Sequence, residues 1–170
     1  DGGYRSYRRL IVDTLYHKPL CYRIKLIEGG TGTGKTRLLH HLAEAGEQIL
    51  DLEGLANHRG SLFGKQTGGQ PSQKMFETRL AEELAGLDPA RLIWIEAESS
   101  KVGARIIPGA LWHAMCRAER IEIKSTLSAR ARFLAQAYRD LTVNVDRLHH
   151  QIDQLRAFHS AATLALWHDM

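Results

Sequence analysis

Cysteine, proline and long apolar runs are all scarce in this sequence. Its 170 residues include four prolines and two cysteines, Cys21 and Cys116, which lie too far apart to form a paired metal-binding motif. No apolar run approaches the roughly 20 residues of a membrane-spanning helix, so no membrane partner is expected. Two cysteines without a disulfide pattern are typical of a reducing compartment, and we therefore expect a cytoplasmic protein.

The residues that are present are typical of a globular protein with a sizeable core. Hydrophobic residues make up 44% of the chain and charged residues 25%, which are ordinary fractions for a folded domain. The net charge of +4 permits an anionic partner such as RNA but does not require one. The first residues carry neither an initiator Met nor a signal-peptide pattern, so we expect the chain to be part of a longer polypeptide.

Alternating strand and helix patterns predict an α/β fold. Strand patterns occupy residues 23–28, 48–52, 92–95 and 120–124. Helical patterns occupy residues 4–15, the stretch after residue 34, the stretch after Ser72, and residues 110–116 and 127–141. This alternation predicts an open parallel sheet with helices on both faces.

The last part of the chain is predicted to be a helical extension of that domain. We expect one long amphipathic helix over residues 145–167, whose apolar seam is formed by Val145, Leu148, Ile152, Leu155, Phe158, Ala162 and Leu166. We therefore expect three parts. They are a linker helix from an upstream domain at 1–20, the α/β domain at 21–142 and the C-terminal amphipathic helix at 143–170.

A glycine-rich segment lies between the first predicted strand and a helical pattern. It matches Gly-x4-Gly-Lys-Thr, and its expected phosphate-binding residues are Gly29, Gly30, Thr31, Gly32, Thr33, Gly34, Lys35 and Thr36. Glycines let the backbone wrap around a phosphate with its N–H groups pointing inward, and the following helix adds the positive end of its dipole. Lys35 is expected to reach the terminal phosphates, and the Thr36 hydroxyl is expected to hold magnesium if that ion is present. The segment predicts a P-loop NTPase-like domain.

Acidic residues follow two further strands of the predicted sheet. Glu96 and Glu98 come after the apolar strand at 92–95, and Asp51 and Glu53 end the strand at 48–52. Ligands of open parallel sheets bind beyond the carboxyl ends of the strands, so we expect these acids beside the glycine loop. Glu96 or Glu98 would help to hold magnesium or orient water, although Asp is the usual residue there. The predicted catalytic residues are Lys35, Asp51, Glu96 and Glu98.

Further polar residues near the strand ends are candidates for contacts to a second substrate or to RNA. They are Glu53, His58, Arg59, Ser61, Lys101 and Arg105. Arginine beside a flexible glycine is typical of an anion contact, and basic residues after the acidic strand end would suit an RNA backbone. An exposed polar surface is the alternative interpretation for each of them.

Several motifs together resemble the tRNA 2-selenouridine synthase family. They are DLEGLA at 51–56, HRGS at 58–61, FG at 63–64, QPSQK at 70–74, FE at 76–77, WIEAES at 94–99, and GGY at 2–4 with YRR at 7–9. They are far more specific than the glycine loop alone. The resemblance implies a tRNA-modifying transferase that acts on the anticodon wobble uridine and replaces the sulfur of 2-thiouridine with selenium from selenophosphate.

The resemblance also implies an S-geranylated intermediate made from geranyl diphosphate, and a rhodanese-like domain before the P-loop domain of full-length members. The catalytic cysteine lies in that upstream domain, so neither Cys21 nor Cys116 receives a catalytic role. Our hypothesis is that the glycine loop grips the diphosphate of geranyl diphosphate or another phosphate of the reaction, and nucleotide binding is left open. An apolar slot for the geranyl chain would be lined by Phe63, Trp94, Trp112 and Met115, for which ordinary core positions are the alternative interpretation.

Two other interpretations of the sequence stay open. The chain could be a free-standing P-loop kinase of small molecules or a nucleotide hydrolase, which would turn over ATP without RNA. It could instead be a non-catalytic RNA-docking module whose glycine loop holds a tRNA phosphate.

Overall fold

The centre of the fold is a four-stranded parallel sheet. The computed structural model describes residues 3–61, 64–139 and 145–169. In chain order the strands in those residues are β1 (Arg23–Glu28), β2 (Gln48–Leu50), β3 (Leu92–Glu96), β4 (Lys101–Val102), β5 (Arg105–Ile106) and β6 (Glu119–Glu122). The large sheet has the order β2-β3-β1-β6, whereas β4 and β5 form a separate antiparallel pair.

Strand register brings three carboxyl ends to one edge of this sheet. Ile27 of β1 pairs with Glu96 of β3, and Leu50 of β2 pairs with Ile95 of β3. The segments that follow β1, β2 and β3 therefore start side by side, as expected for a parallel sheet built from crossover connections.

Helices cover both faces of the sheet. Those of the first part of the chain are α1 (Gly3–Val12), a π-helix (Asp13–His17) that continues it, α2 (Lys35–Glu44), α3 (Leu52–Ala56), α4 (Gln73–Gly86) and α5 (Gly109–Arg117). Leu26 and Ile27 are both buried, although neighbouring side chains of a strand point to opposite faces. The predicted α/β fold of the P-loop NTPase-like type is thereby confirmed.

A single apolar cluster fills the face of the sheet packed against α1, α4 and α5. Its largest members are Phe76 and Leu80 from α4, Leu15 from the π-helix, Leu111 from α5 and Ile95 from β3. The helix α4 begins where the sequence predicts, because the Ser72 side chain accepts a hydrogen bond from the Met75 backbone N–H.

The chain divides into two compact units between Lys124 and Ser125. The helices of the second unit are α6 (Leu127–Ala137), α7 (Val145–Asp153), a 3₁₀ turn (Gln154–Ala157) and α8 (Ala161–His168). The domain boundaries predicted from the sequence stay predictions. Within the described residues, no helix has the length and apolar character needed to cross a membrane.

The prediction of one long helix over residues 145–167 is wrong. The chain leaves helical geometry after Ala157, and α8 starts afresh where Ser160 accepts a hydrogen bond from the Thr163 backbone N–H. Phe158, a predicted seam residue, is 71% exposed. A local cap therefore prevailed over the apolar periodicity.

Several other predicted boundaries also differ from the structure. The strand predicted over 48–52 ends at Leu50, because Asp51 caps the short helix α3 that begins at Leu52. The hairpin of β4 and β5 was not predicted at all. α6 ends at Ala137, and the rest of its predicted span to 141 lies partly outside the described residues.

Candidate phosphate and cation site

The glycine loop leaves the end of β1 in a conformation that side chains would prevent. Gly32 and Gly34 both have φ of +84°, in the left-handed region that favours glycine. A Cβ on Gly29 would lie 2.7 Å from Thr33 Oγ1 and 2.8 Å from the Ile123 carbonyl oxygen. These glycines are therefore required for the loop to turn tightly into the next helix.

The start of α2 has the features of an anion site. Gly34 is its N-cap residue and supplies no side-chain hydrogen bond to the first turn, so the helix dipole at this end is open to a ligand. The Lys35 Nζ donates a hydrogen bond to the Gly29 carbonyl oxygen at 2.9 Å, which folds the lysine back over the loop. The loop, the helix start and Lys35 together form the cradle in which the sequence predicts a phosphate group.

Three glutamates converge beside this cradle. Glu96 is the last residue of β3, Glu98 follows it, and Glu53 lies in the first turn of α3. One carboxylate oxygen from each of them lies within 4.8 Å of those from the other two. We call these three residues the glutamate cluster.

The glutamate cluster is electrostatically strained. Burial raises the pKa of Glu53 to about 8, with further contributions from the charges of Glu96, Glu98 and Asp51. Burial also raises the pKa of Glu98 and of Glu96, and nearby Lys35 opposes the increase in each case. A hydrogen bond with the Thr36 hydroxyl further opposes the increase at Glu96. The cluster therefore favours either a bound proton or a bound cation.

Asp51 lies beside the cluster but is occupied by local structure. Its Oδ1 accepts a hydrogen bond from the Gly54 backbone N–H at 2.8 Å, which caps α3. Its Oδ2 lies 3.0 Å from His40 Nε2 on α2. Asp51 therefore ties α2 to α3, and its predicted catalytic role stays a prediction.

His58 is buried, 6% exposed, in the segment after α3. Its Nδ1 accepts a hydrogen bond from the Gly60 backbone N–H at 3.1 Å, so the ring proton of the neutral form is on Nε2. Burial lowers the pKa of His58, with a smaller effect of Lys65, so the ring is uncharged near neutral pH. It can donate one hydrogen bond but adds no positive charge for an anion.

Two glutamine side chains fasten the segment after α3 to the hairpin of β4 and β5. Gln70 donates to the carbonyl oxygens of Ala56 and Val102 and accepts from the Ala104 backbone N–H. Gln73 donates to the Ile106 carbonyl oxygen and accepts from its N–H. Hydrogen bonds thus hold this part of the chain against the hairpin, and it is not a loose loop.

The remaining predicted contact residues lie in the segment after α3 and in the hairpin of β4 and β5. Arg59 and Ser61 lie in the segment after α3 and are partly buried, Lys101 is exposed at the start of β4, and Arg105 lies on β5. The Arg105 Nε is buried without a hydrogen-bond partner among the described residues. The structure therefore places basic side chains on the hairpin that follows the glutamate cluster.

The predicted apolar slot is not brought together as such. Met115 is part of the apolar core and Trp112 packs against it, whereas the Trp94 ring lies under Lys25, whose Nζ is 5.8 Å from the ring centroid. Phe63 lies outside the described residues.

Gln70 and Gln73 support the site but were not singled out from the sequence, and Gly60 was noted there only as the flexible glycine beside Arg59. Gly60 has φ of +64°, and a Cβ there would run into the Glu53 carboxylate and lie 3.1 Å from Glu98 Oε1. The motifs HRGS and QPSQK contained these residues, but their partners lie far away in the chain. No periodicity could have revealed such contacts.

The glycine loop at the end of β1 and the acids at the ends of β2 and β3 define an α/β domain of the P-loop NTPase-like class. A family profile described as the tRNA 2-selenouridine synthase AAA domain matches residues 22–167. Because that match covers most of the chain, the chain belongs to the tRNA 2-selenouridine synthase family.

Curated relatives agree with this assignment. A tRNA 2-selenouridine synthase of Aeromonas salmonicida is 39% identical over 139 residues, which are 81% of this chain and 36% of the relative. One of Shewanella loihica is 37% identical over 140 residues, covering 81% and 37%. One of Pseudomonas syringae pv. tomato is 43% identical over 119 residues, covering 67% and 31%. This chain thus spans about a third of the length of these curated relatives.

Proposed function

We propose that this chain is the phosphate-binding part of a tRNA 2-selenouridine synthase. The observation that carries the proposal is the cradle of Gly29, Gly34 and Lys35, which faces the acids at the ends of β2 and β3. The names of the relatives, which act on tRNA, support a tRNA-modifying transferase. The wobble uridine of the anticodon is the expected position of the modification.

The ligand of the cradle in this proposal is the diphosphate of geranyl diphosphate. The sulfur of 2-thiouridine attacks the first carbon of the geranyl group, the carbon–oxygen bond breaks, and diphosphate leaves. Lys35 and the backbone N–H groups of the loop stabilise the negative charge that develops on the departing diphosphate. Selenophosphate then supplies the selenium: its selenium bonds to C2 of the uracil ring, the C2–sulfur bond breaks and geranyl thiol leaves, and hydrolysis of the selenium–phosphorus bond releases phosphate.

Magnesium fits the residues beside the cradle. The Thr36 hydroxyl is close enough to Glu96 to oppose the rise in the pKa of that carboxyl, and a hydroxyl next to a carboxylate is a suitable oxygen pair for that ion. Bound there, magnesium would neutralise charge on the diphosphate.

The proposal includes two macromolecular partners. The tRNA would contact basic side chains of the segment after α3 and of the β4–β5 hairpin. The candidates are Arg59, Lys101 and Arg105. A rhodanese domain of the same polypeptide would supply the catalytic cysteine of the selenium step, in keeping with the greater length of the relatives.

Calorimetric titration with geranyl diphosphate, and separately with ATP, tests the ligand of the cradle. Each titration is run with and without magnesium. We expect geranyl diphosphate to bind and Lys35→Ala to weaken it by at least about 30-fold, because the charged partner of the diphosphate is lost. Lys25→Ala is the matched control, since Lys25 lies on β1 and pairs with Glu119 at 3.1 Å.

The titrations also separate the competing functions. Lysine-dependent binding of ATP, with no effect of geranyl diphosphate, would contradict the proposal and favour a kinase or nucleotide hydrolase. Binding of tRNA with no response to either small ligand would favour the RNA-docking module.

A further inference from the structure

The glutamate cluster joins two segments that are distant in the chain. Glu53 lies after β2, whereas Glu96 and Glu98 lie at the end of β3. Their carboxylate oxygens nevertheless lie within 4.8 Å of one another. Like charges at this separation repel, so the arrangement needs something that offsets the repulsion.

A second observation points to a missing ligand in the same place. Glu96 is 3% exposed, and its Oε1 has no hydrogen-bond partner among the described residues. Buried carboxylate oxygens are normally satisfied by a donor or a metal ion, because leaving one unpaired is costly. The unpaired oxygen belongs to the carboxylate that meets the other two.

Lys35 does not neutralise the cluster by itself. Its Nζ is hydrogen-bonded to the Gly29 carbonyl oxygen, and when all three glutamates are ionised one ammonium group balances only one of the three carboxylates. A divalent cation would balance the other two. Gly60 keeps the required space open, because a side chain there would meet Glu53 and Glu98.

We propose that Glu53, Glu96 and Glu98 bind a divalent cation before any phosphate ligand enters the cradle. Carboxylate oxygens suit hard cations such as magnesium, manganese or calcium. The cation would fasten the segment after α3 to the end of β3 and leave Lys35 for the phosphate. The site shares Glu96 with the magnesium of the proposed function and so rests on that proposal, but it needs no phosphate ligand and can be tested apart from it.

Titration of the phosphate-free chain with Mn²⁺, followed by electron paramagnetic resonance of the free ion, tests the proposal. We expect one Mn²⁺ per chain. Glu53→Gln and Glu98→Gln should each weaken binding by at least about tenfold, because each removes one charged ligand. Glu83→Gln is the matched control, since Glu83 is an exposed carboxylate on α4. Circular dichroism verifies that every variant is folded.

Two results would overturn the proposal. One is the absence of saturable Mn²⁺ binding to the phosphate-free chain, and the other is wild-type affinity in Glu53→Gln. Titration with geranyl diphosphate, once with magnesium and once in a metal chelator, separates this proposal from the proposed function. Mn²⁺ binding to the phosphate-free chain, with no geranyl diphosphate binding in either condition, removes the proposed function and keeps the cation site. Geranyl diphosphate binding without Mn²⁺ binding to the phosphate-free chain removes the cation site alone.

Discussion

Buried glutamates occur in two regions of this protein, with opposite surroundings. Glu77 on α4 is 4% exposed and accepts hydrogen bonds from Arg8, Tyr16 and Gln73. Burial alone would raise the pKa of Glu77, but these donors lower it below its usual value. In the glutamate cluster, burial and mutual repulsion raise the pKa of Glu53 to about 8.

The difference separates a structural carboxylate from the carboxylates of the proposed cation site. Around Glu77 the chain supplies all the donors, and the result is a joint between α1, the π-helix and α4. In the glutamate cluster the chain leaves a buried oxygen of Glu96 unpaired and brings acids together instead. Sites that bind ligands commonly keep such unfavourable electrostatics until the ligand arrives.

The largest expected effect is the loss of the Glu77 joint. Glu77→Gln should lower the free energy of unfolding by about 2 to 4 kcal/mol at pH 7, because the charge of Arg8 loses its partner. Denaturant titration measures the change. Glu82→Gln on the same helix removes the charge, but not the oxygen, of an exposed acceptor of the Tyr7 hydroxyl and should change stability by less than about 1 kcal/mol.

The pH dependence of this effect has a definite sign. Because the pKa of Glu77 is lowered in the folded chain, its contribution is present above the ordinary value of 4.5 and is lost as the pH falls through the folded pKa. The difference between wild type and Glu77→Gln should therefore shrink below about pH 4.5. A constant difference down to pH 3 would show that Glu77 contributes by packing and not by charge.

A smaller effect of the opposite sign is expected in the glutamate cluster. Glu53→Gln should raise the free energy of unfolding by about 1 to 2 kcal/mol at pH 8 in a metal chelator, because it removes one of the repelling charges. Thermal unfolding measures it. Glu119→Gln is the control, since the Glu119 side chain is 81% exposed beside Lys25.

The pH profile of Glu53→Gln should mirror that of Glu77→Gln. A raised folded pKa costs nothing below the ordinary value of 4.5, and the cost grows as the pH rises from 4.5 to about 8. The stabilisation by Glu53→Gln should follow that window. Stabilisation that persists unchanged at pH 4 would contradict repulsion as its cause.

The smallest difference is expected from two glycines with positive φ. Gly60→Ala and Gly46→Ala should each lower the free energy of unfolding by about 1 kcal/mol, because φ is +64° and +86°. A Cβ on Gly46 meets nothing within 4 Å, whereas one on Gly60 displaces the Glu53 carboxylate. Mn²⁺ affinity should fall severalfold in Gly60→Ala alone, and equal affinities would place the cation away from Glu53.

Much of the fold followed from local patterns along the chain. The alternation in β1, the apolar run of β3 and the Ser72 cap of α4 each specify an element through its own residues. The single helix expected over 145–167 failed because Ser160 offered a competing cap. The β4–β5 hairpin was missed because its two-residue strands are too short for any period to appear.

The sequence by itself determined the glycine loop, the strands that end in acids and the family, because backbone geometry and strand burial leave local signals. Only the tertiary structure decided which acids meet and which are satisfied. Glu53, Glu77, Glu96 and Glu98 are the same residue type, and their roles depend on partners far away in the chain. Arg8 and Tyr16 make Glu77 structural. The convergence of β2 and β3 instead leaves the other three glutamates facing one another. The charges that shift their pKa values come together only when the sheet is assembled.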